Sequence, residues 1–431
     1  MKPIWILTLL AATVGAVSVA PSRAADAPAD TTAPRTLAEY LRRARAANAT
    51  LESVSARAEA SRERVGVAKG FPDPTLLYGY TFEAEESGHE PSMKGRHEFL
   101  LMQEFPFFGK RGLRGDVASR EARMAERMSD AMGDEVEFDV KMSYYEFARL
   151  HQVARVLDEE AVLLERMRAA TQSRYAAERA EQQDVLKIDL ALSQLEDQMT
   201  LNRRELAAFQ ARLNELIGRD PAAALPPPEW RVPVLAELAD STMVAAALAR
   251  RPELDAARSE IEMAELSRRL ARKEYIPDFL LGLKWEFGGT EDADGNQMED
   301  EWQAMAGLNL PIWFGKRKAM VREAEAMRTG AEHGLRAMEL RARREVEQAL
   351  ARVRAADERR TRFETVIIPQ AEQTFASSEA GYRAGRVDFI DYLDSERMLL
   401  SMRKEYYEVV ADLGVQIAAL ERAVAVRTAP D

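Results

Sequence analysis

The sequence predicts a mainly helical protein that carries four β-strands in two duplicated halves and completes a membrane β-barrel by assembling with copies of itself. Three observations predict it: the composition, an export signal and an internal repeat. The 431 residues are 46% hydrophobic and 31% charged, so the chain is not disordered. Aromatic residues make up only 7%, and the abundance of Ala, Arg, Glu and Leu favours long helices over a compact β fold.

The composition also excludes several classes of function. Cysteine is absent, which excludes disulfides, thiolate metal sites, cysteine nucleophiles and a lipidated N-terminal cysteine. The four histidines show no ligand spacing, and we predict no metal site and no cofactor. A net charge of −12 argues against nucleic acid as a partner. Hydrolase, nucleotide-binding and metalloprotease motifs are missing, so we predict no catalytic residues and no enzyme activity.

The N-terminus reads as a secretory signal peptide. Lys2 precedes an apolar run from Ile4 to Ala20, and small residues flank Arg23 in Ser22-Arg23-Ala24. We predict cleavage after Ala24. A membrane anchor is the alternative, but the run is short for a spanning helix, and no later stretch approaches that length. The mature protein is therefore expected beyond the inner membrane.

Three landmarks occur in the same order in both halves of the chain. Their offsets are 205 residues (Pro72 to Pro277), 206 (Gly109 to Gly315) and 207 (Tyr175 to Tyr382). The landmark pairs are Phe71-Pro72-Asp73 with Ile276-Pro277-Asp278, Phe105 to Arg111 with Leu310 to Arg317, and Tyr175 to Leu186 with Tyr382 to Leu393. We therefore divide the chain into a signal peptide (1–24), an N-terminal tail (25–36), a first repeat (37–230), a second repeat (231–425) and a C-terminal tail (426–431).

Each half is predicted to run helix, two strands, very long helix, turn, helix. In the first half the helices cover about 37–69, 113–174 and 184–216, and their apolar positions step by three and four as in coiled coils. The two shorter helices, stacked end to end, would match the long one, which gives four helical columns per chain. The strands are expected at about 75–83, 98–106, 279–287 and 301–310.

The strands alternate between an aromatic-rich apolar face and a mixed polar face over about ten residues, as membrane barrel strands do. Four strands cannot close a barrel, and an open edge cannot face lipid. The chain must therefore oligomerise, and a conducting pore favours three copies, with 12 strands, or four, with 16. The acidic loop at 289–300 belongs on the outer face of such a barrel; it lacks the twelfth-position glutamate of a calcium loop, and we assign it no role.

Taken together, these features resemble the TolC-like outer membrane efflux proteins. The resemblance covers about 37–424 and is most specific at Gly381 to Asp394. It implies a homotrimer with a 12-stranded barrel on a helical tunnel, in the outer membrane of a Gram-negative bacterium and in contact with its lipid. It also implies a periplasmic adaptor and an inner-membrane pump, expected to be of the RND type, as partners.

The resemblance implies a pore constriction at Asp391 and Asp394. The two are three residues apart, so they share a helix face, and a trimer would arrange them as two rings of carboxylates that select cations. The alternative is that Asp391 only caps its helix.

The turn between the last two helices is similar to the gate of the family. Tyr382 matches a tyrosine that latches the closed end, and Gly385 and Arg386 belong to the same turn. The family arginine of this turn falls near Val387, so we expect a latch wired differently. The first half keeps Tyr175 and Asp184, but Glu178 replaces the glycine, so a looser turn is expected there.

Phe-Gly-Lys-Arg ends the second strand of each half. Glycine would allow the chain to bend there, and the basic pair would sit at the membrane edge as anchors. The motif also favours the heavy-metal branch of the family, of the cobalt-zinc-cadmium or copper-silver type. Many members of that branch carry a lipidated cysteine, which this chain lacks. The residues concerned are Gly109, Lys110, Arg111, Gly315, Lys316 and Arg317.

The predicted function is therefore the outer membrane channel of a tripartite efflux system, with heavy-metal cations favoured as substrate. A multidrug or type I protein-secretion duct would use the same fold. A periplasmic coiled-coil adaptor or scaffold is the alternative from another class, although it would not need four aromatic-faced strands.

Overall fold

A computed structural model describes residues 33–84, 93–233, 240–288 and 300–426. The predicted signal peptide and nearly all of the acidic loop lie outside the described residues. Among the helices described, none is both long enough and apolar enough to cross a membrane.

The two halves have the same order of elements. The first half contains α1 (Leu37–Ala47), α2 (Ala49–Lys69), β1 (Thr75–Ala84), β2 (Met93–Phe105), α3 (Lys110–Ala176) and α4 (Gln182–Leu216). The second contains α5 (Asp240–Arg250), α6 (Pro252–Lys273), β3 (Phe279–Phe287), β4 (Glu301–Leu308), α7 (Phe314–Arg362), a π-helical turn (Phe363–Ile367), α8 (Ile368–Arg383) and α9 (Phe389–Val424). The predicted order of elements is confirmed.

The helix predicted at 37–69 is in fact two helices, separated at Asn48. The Asn48 side chain caps α2 by accepting the Leu51 N–H (3.1 Å), and its amide donates to the Leu216 carbonyl at the end of α4 (2.9 Å). The second half repeats the arrangement, because Arg251 lies between α5 and α6 and its Nε donates to the Ala423 carbonyl near the end of α9 (2.6 Å). A polar side chain at each break thus satisfies a helix end that abuts it.

The helices form columns, as expected. The contacts at Asn48 and Arg251 join the end of α4 to the α1–α2 column and the end of α9 to the α5–α6 column. The long α3 packs against α1, α2 and α4, and also against α6 and α9, whereas α7 packs against α5, α6 and α9. The second long helix is interrupted before α8, where Pro369 lacks the N–H that a continuous helix needs and a π-helical turn precedes it.

The cores lie along the columns rather than at one centre. One cluster joins α1, α3 and α4 around Tyr40 and Phe147, and another joins α5, α7 and α9 around Val353. A third joins α3, α4 and α9 near the turns around Ile188 and Leu393. Each is built from positions three and four apart, which is the pattern that predicted the coiled-coil packing.

The strands form one antiparallel sheet in the order β1-β2-β3-β4. The strand bounds agree with the predicted ones, except that β2 begins five residues earlier, at Met93, and β4 ends at Leu308. In the first hairpin Leu76 pairs with Leu101, and in the second Leu281 pairs with Ala306, so both partners shift by 205 residues. The two hairpins therefore share one register, and β1 and β4 are the sheet edges.

The two faces of the sheet differ in chemistry. Tyr78, Phe99, Trp285 and Trp302 form a ladder across all four strands, with ring centroids 5.1, 6.0 and 5.5 Å apart. The opposite face carries ion pairs. Lys284 lies between Glu98 (3.3 Å) and Glu286 (2.6 Å), and Arg96 approaches Glu286 (3.6 Å) and Glu301 (3.8 Å). An aromatic face opposite a charged face is typical of strands between lipid and an aqueous lumen.

Candidate functional site: two helix turns and two strand–helix junctions

The turn between α8 and α9 is closed by a left-handed residue. Gly385 has a φ of 68°, and the Arg386 N–H donates to the Gly381 carbonyl (2.9 Å). A Cβ on Gly381 would overlap the Val387 side chain, so a glycine is needed there as well. This geometry matches a Schellman helix ending.

The first-half turn, between α3 and α4, has the same closure. Glu178 has a φ of 54°, and the Arg179 N–H donates to the Arg174 carbonyl (2.8 Å). The expectation of a looser turn is wrong: the backbone keeps its shape, and Glu178 occupies a conformation that costs a non-glycine residue about 1 kcal/mol. The strain is tolerated because packing on either side fixes both helix ends.

Tyr382, the predicted latch residue, contacts the other half of the chain. Tyr382 stacks on Tyr392 with ring centroids 5.1 Å apart and meets Phe389 edge to face at 5.8 Å. The Arg174 guanidinium lies over the Tyr382 ring, 4.5 Å from its centroid, and donates to the Tyr382 carbonyl (3.4 Å). This arginine, which our sequence reasoning missed, ties the two turns together. The only sequence signal is its place one residue before the predicted Tyr175.

The other gate residues have different surroundings. The Tyr175 ring is exposed, and so is Arg386, which supplies the backbone N–H described above. The Asp184 carboxylate accepts the backbone N–H of Glu181 (3.4 Å) in a capping box at the start of α4. In the first half, therefore, the aspartate of the turn is a helix cap.

The candidate constriction residues lie exposed on the first turns of α9. Asp391 is the third residue after the N-cap Asp388, and no capping bond from its side chain is present at this helix start. The structure therefore does not support the helix-cap alternative for Asp391. The Asp394 side chain is 63% exposed and lies 3.6 Å from Arg397. Both carboxylates share a helix face, so neighbouring copies could meet there.

The junction after β2 is buried, contrary to our expectation for its lysine. Gly109 has a φ of 84° and begins α3. The Lys110 side chain is 1% exposed; its Nζ lies 2.8 Å from Asp278 and 3.4 Å from Glu274, and it donates to the Ile276 carbonyl (2.8 Å). Lys110 is therefore the cation of a buried ion pair between the halves rather than a membrane-edge anchor.

Asp278 is held as a carboxylate by several donors. Burial alone raises its pKa, but Lys110, the Phe107 N–H (2.6 Å) and the Asn309 amide (3.2 Å) outweigh burial and hold the pKa below its usual range. A buried charge with this many partners is stable only while all of them remain in place.

The two arginines of the repeated motif have equivalent roles. Arg111 donates to the Lys69 carbonyl (3.0 and 2.6 Å) and lies over the Phe71 ring. Arg317 donates to the Glu274 carbonyl (2.7 Å). In contrast to Gly109, Gly315 lies within α7 and has no positive φ, so the predicted bend is found at only one junction. Lys316 is exposed.

A cavity of about 270 Å³ between α3, α8 and α9 was not predicted. Two buried glutamates from facing helices, Glu160 and Glu396, line it, and each has a carboxylate oxygen without a hydrogen-bond partner among the described residues. Burial raises the pKa of Glu396 to about 7, which Arg397 offsets only in part. The cavity is lined by Val156, Glu159, Glu160, Leu163, Glu372, Phe375, Glu396, Leu399, Leu400 and Arg403. Elsewhere in the described ranges as well, no group of three or more acidic or histidine side chains is placed to hold a metal ion.

Comparison with known proteins finds outer membrane proteins that are similar to this chain. Residues 243–426 match the family model described as outer membrane efflux protein. CzcC, a cobalt-zinc-cadmium resistance protein of Cupriavidus metallidurans, is 19% identical over 92% of this chain and 91% of its own. The pyoverdine export outer membrane protein OpmQ of Pseudomonas putida is 29% identical over 154 residues, which span 35% of this chain and 32% of OpmQ. The solved structure of CusC, a transmembrane channel, superposes with a TM-score of 0.77 at 16% identity, covering 90% of this chain and 91% of CusC.

The strand junctions and the turns lie at opposite ends of the long helices, which are α3 in the first half and α7 continued by α8 in the second. The 67 residues of α3 extend for about 100 Å at 1.5 Å per residue. The sheet and the Asp391 face are therefore separated by most of that length.

Proposed function

We propose that three copies of this chain form the outer membrane channel of a tripartite efflux system. The observation that carries the proposal is the four-stranded sheet, which has one aromatic face, one charged face and two edges that no described strand covers. Lipid cannot solvate an open edge, so each β4 must meet the β1 of a neighbour. Three copies supply twelve strands, enough for an aqueous lumen. The helical columns then continue the channel into the periplasm as a tunnel.

A periplasmic adaptor and an inner-membrane pump of the RND type are the proposed partners. An outer membrane channel has no energy source of its own, so transport against a gradient must be driven from the inner membrane. The turns, at the far end from the sheet, are the part of the channel that reaches towards those partners. The aromatic ladder around Trp285 and Trp302 faces outer membrane lipid.

Heavy-metal cations are the favoured substrate. The match to CzcC extends over 92% of the chain, and the Phe-Gly-Lys-Arg motif points the same way. A siderophore such as pyoverdine is the second candidate, because OpmQ is more similar in sequence, although over only 154 residues. In either case the cargo passes through the lumen without a resident site.

The closed end of the tunnel is proposed to lie at the turns. Threefold symmetry places three copies of Asp391 and of Asp394 around one axis, where like charges repel one another and attract cations. The Arg174–Tyr382 contact keeps the two turns of each subunit together. Opening requires these turns to move apart.

A deletion strain tests the substrate. Its susceptibility to zinc, cobalt, cadmium, copper and silver is compared with its susceptibility to hydrophobic drugs and with its export of siderophore. Sensitivity to metals, reversed by the wild-type gene, supports metal efflux. A strain that is sensitive only to drugs, or that only loses siderophore export, would assign the channel to another type of pump.

Planar-bilayer recordings test the constriction. Asp391→Ala with Asp394→Ala is expected to raise basal conductance and lower cation selectivity. Asp184→Ala is the matched control, because the equivalent aspartate of the first half is a helix cap. Unchanged selectivity in the double variant would refute the ring.

A further inference from the structure

We propose that Asp73 of one subunit and Lys316 of the next form an ion pair that joins neighbouring subunits at the strand–helix junction. The partner is a second copy of this chain. The inference rests on the trimeric channel proposed above and names contacts that would hold it together.

The first step is the junction between the two halves within one chain. There Lys110, at the start of α3, inserts beside Asp278, just before β3, and the Phe107 N–H completes the contact. The Lys110 and Asp278 side chains are only 1% and 6% exposed. This contact accompanies the pairing of β2 with β3, so it is part of a seam between one repeat and the next.

The second step is that the repeat supplies the same two groups again, at positions where no described residue pairs with them. Asp73 stands 205 residues before Asp278, and Lys316 stands 206 residues after Lys110. Both are exposed, and neither forms an ion pair within the part of the chain that the structure describes. The anion thus lies beside β1 at one edge of the sheet, and the cation lies after β4 at the other edge.

The third step is that the arginine of the repeated motif is anchored in the same way at both junctions. Arg111 and Arg317, each next to the lysine in question, donate to the equivalent carbonyls of Lys69 and Glu274. The residue after Lys316 is therefore held like the residue after Lys110, although α7 begins two residues before Lys316 and α3 begins at Lys110. Trp313 stands where Phe107 does, so its N–H is the expected second donor to Asp73.

The fourth step is the strand register. Leu281 pairs with Gln103 across the β2–β3 seam. Shifting both positions by the 205 residues that relate the hairpins gives Leu76 of one subunit opposite Leu308 of the next. This register leaves Asp73, three residues before Leu76, next to the start of the neighbour's α7. The sheet edges and the ion pair, both related to the inner seam by the repeat, therefore predict the same contact between subunits.

The surroundings of the second seam also favour a cation from outside. Asn309, which donates to Asp278, is replaced by Glu104 at the equivalent position of the first repeat. Asp73 thus lies on a segment with a further carboxylate and without the amide donor. Asp73 and Glu104 require a cation such as the ammonium of Lys316, since a carboxylate buried without a partner is strongly disfavoured.

Cysteine cross-linking tests the seam, because the natural chain contains no cysteine. In the full-length protein, Asp73→Cys combined with Lys316→Cys is treated with a short reducible thiol cross-linker, because an aspartate–lysine pair can span more than a disulfide. This variant is expected to give covalent dimers and trimers on non-reducing gels, which reduction abolishes. Leu76→Cys with Leu308→Cys is expected to do the same. Leu76→Cys with Trp302→Cys is the off-register control and should remain monomeric.

A second pair of controls separates this seam from the one within the chain. Lys110→Cys with Asp278→Cys should react with the same cross-linker within one chain, without joining subunits. Asp73→Lys alone should lower the fraction of trimer that survives mild heating in detergent several-fold, and adding Lys316→Asp should restore it.

The outcomes distinguish the inference from the function on which it rests. The oligomeric mass and conductance of the wild-type protein test the channel by themselves. A conducting wild-type trimer without inter-subunit bonds, and without rescue by the charge swap, would overturn the Asp73–Lys316 pair and leave the channel intact. A wild-type protein that is not trimeric would overturn both.

Discussion

We expect the buried carboxyl group of Glu396 to make the stability of the helical columns depend on pH, and Glu396→Gln to remove its contribution. Glu396 is 2% exposed, on α9. Across the cavity it faces Glu160 on α3 and Glu372 on α8, and Arg403 lies at the same cavity on its own helix. Burial therefore favours the neutral acid.

The size of the effect on stability follows from the difference between the pKa of Glu396 in the folded state and its pKa in the unfolded state. Burial raises the pKa of Glu396 from an ordinary value of 4.5 to about 7, so the folded state binds the proton more tightly. Its stability is highest below the unfolded pKa and falls as the pH rises through 7. The total loss in the free energy of unfolding is about 3 kcal/mol per subunit, and about 2 kcal/mol of it is lost between pH 5 and pH 7.

The assay is the melting temperature of the purified channel in detergent, followed by helical circular dichroism from pH 4.5 to pH 8. The glutamine keeps the shape of the neutral acid and does not ionise. The difference in melting temperature between Glu396→Gln and the wild type should therefore be small at pH 4.5 and grow in favour of the variant up to pH 8.

The matched control is Glu159→Gln, at the exposed rim of the same cavity. It should keep the wild-type dependence on pH, because an exposed carboxylate is not desolvated by folding. A Glu396→Gln variant whose melting temperature follows that of the wild type across the whole range would refute the reasoning.

Three further predictions concern the junction and the turns. Lys110→Met leaves a buried carboxylate without its cation and should cost about 3 kcal/mol in the free energy of unfolding, measured by denaturant titration. Gly385→Ala should lower the melting temperature and Glu178→Gly should raise it, each by the equivalent of at most about 1 kcal/mol, because only glycine adopts a positive φ without strain. Arg174→Leu removes the cation over Tyr382, a contact of about 1 kcal/mol, and should speed hydrogen exchange in both turns while leaving the sheet unchanged.

Much of the fold could be predicted because its signals are local. Period-two alternation placed β3 at its observed bounds, and proline and glycine marked the strand ends. The same reasoning gave the long helices within a few residues. The repeat strengthened the weak sequence signals of the strands, since a pattern that occurs twice at a fixed offset rarely arises by chance.

What could not be predicted depends on contacts between distant residues. Nothing around Asn48 shows that the end of α4 abuts it, 168 residues later. In the same way, a lysine beside arginine reads as a surface pair until Asp278 is found next to it. Pro369 was visible, but the π-helical turn beside it depends on how the neighbouring helices pack.

The difference between Lys110 and Lys316 has a physical cause in the assembly. A chain with two repeats forms one seam by folding and leaves the other to a neighbour. The groups of the inner seam are buried from the start, whereas Asp73 and Lys316 are hydrated in the free subunit and lose that hydration only when the ring closes. Their attraction is therefore largely offset by desolvation. What the pair contributes is selectivity, because a neighbour out of register would leave both charges buried and unpaired. The apolar and hydrogen-bonded strand edges supply the affinity, and the charges determine which alignment is allowed.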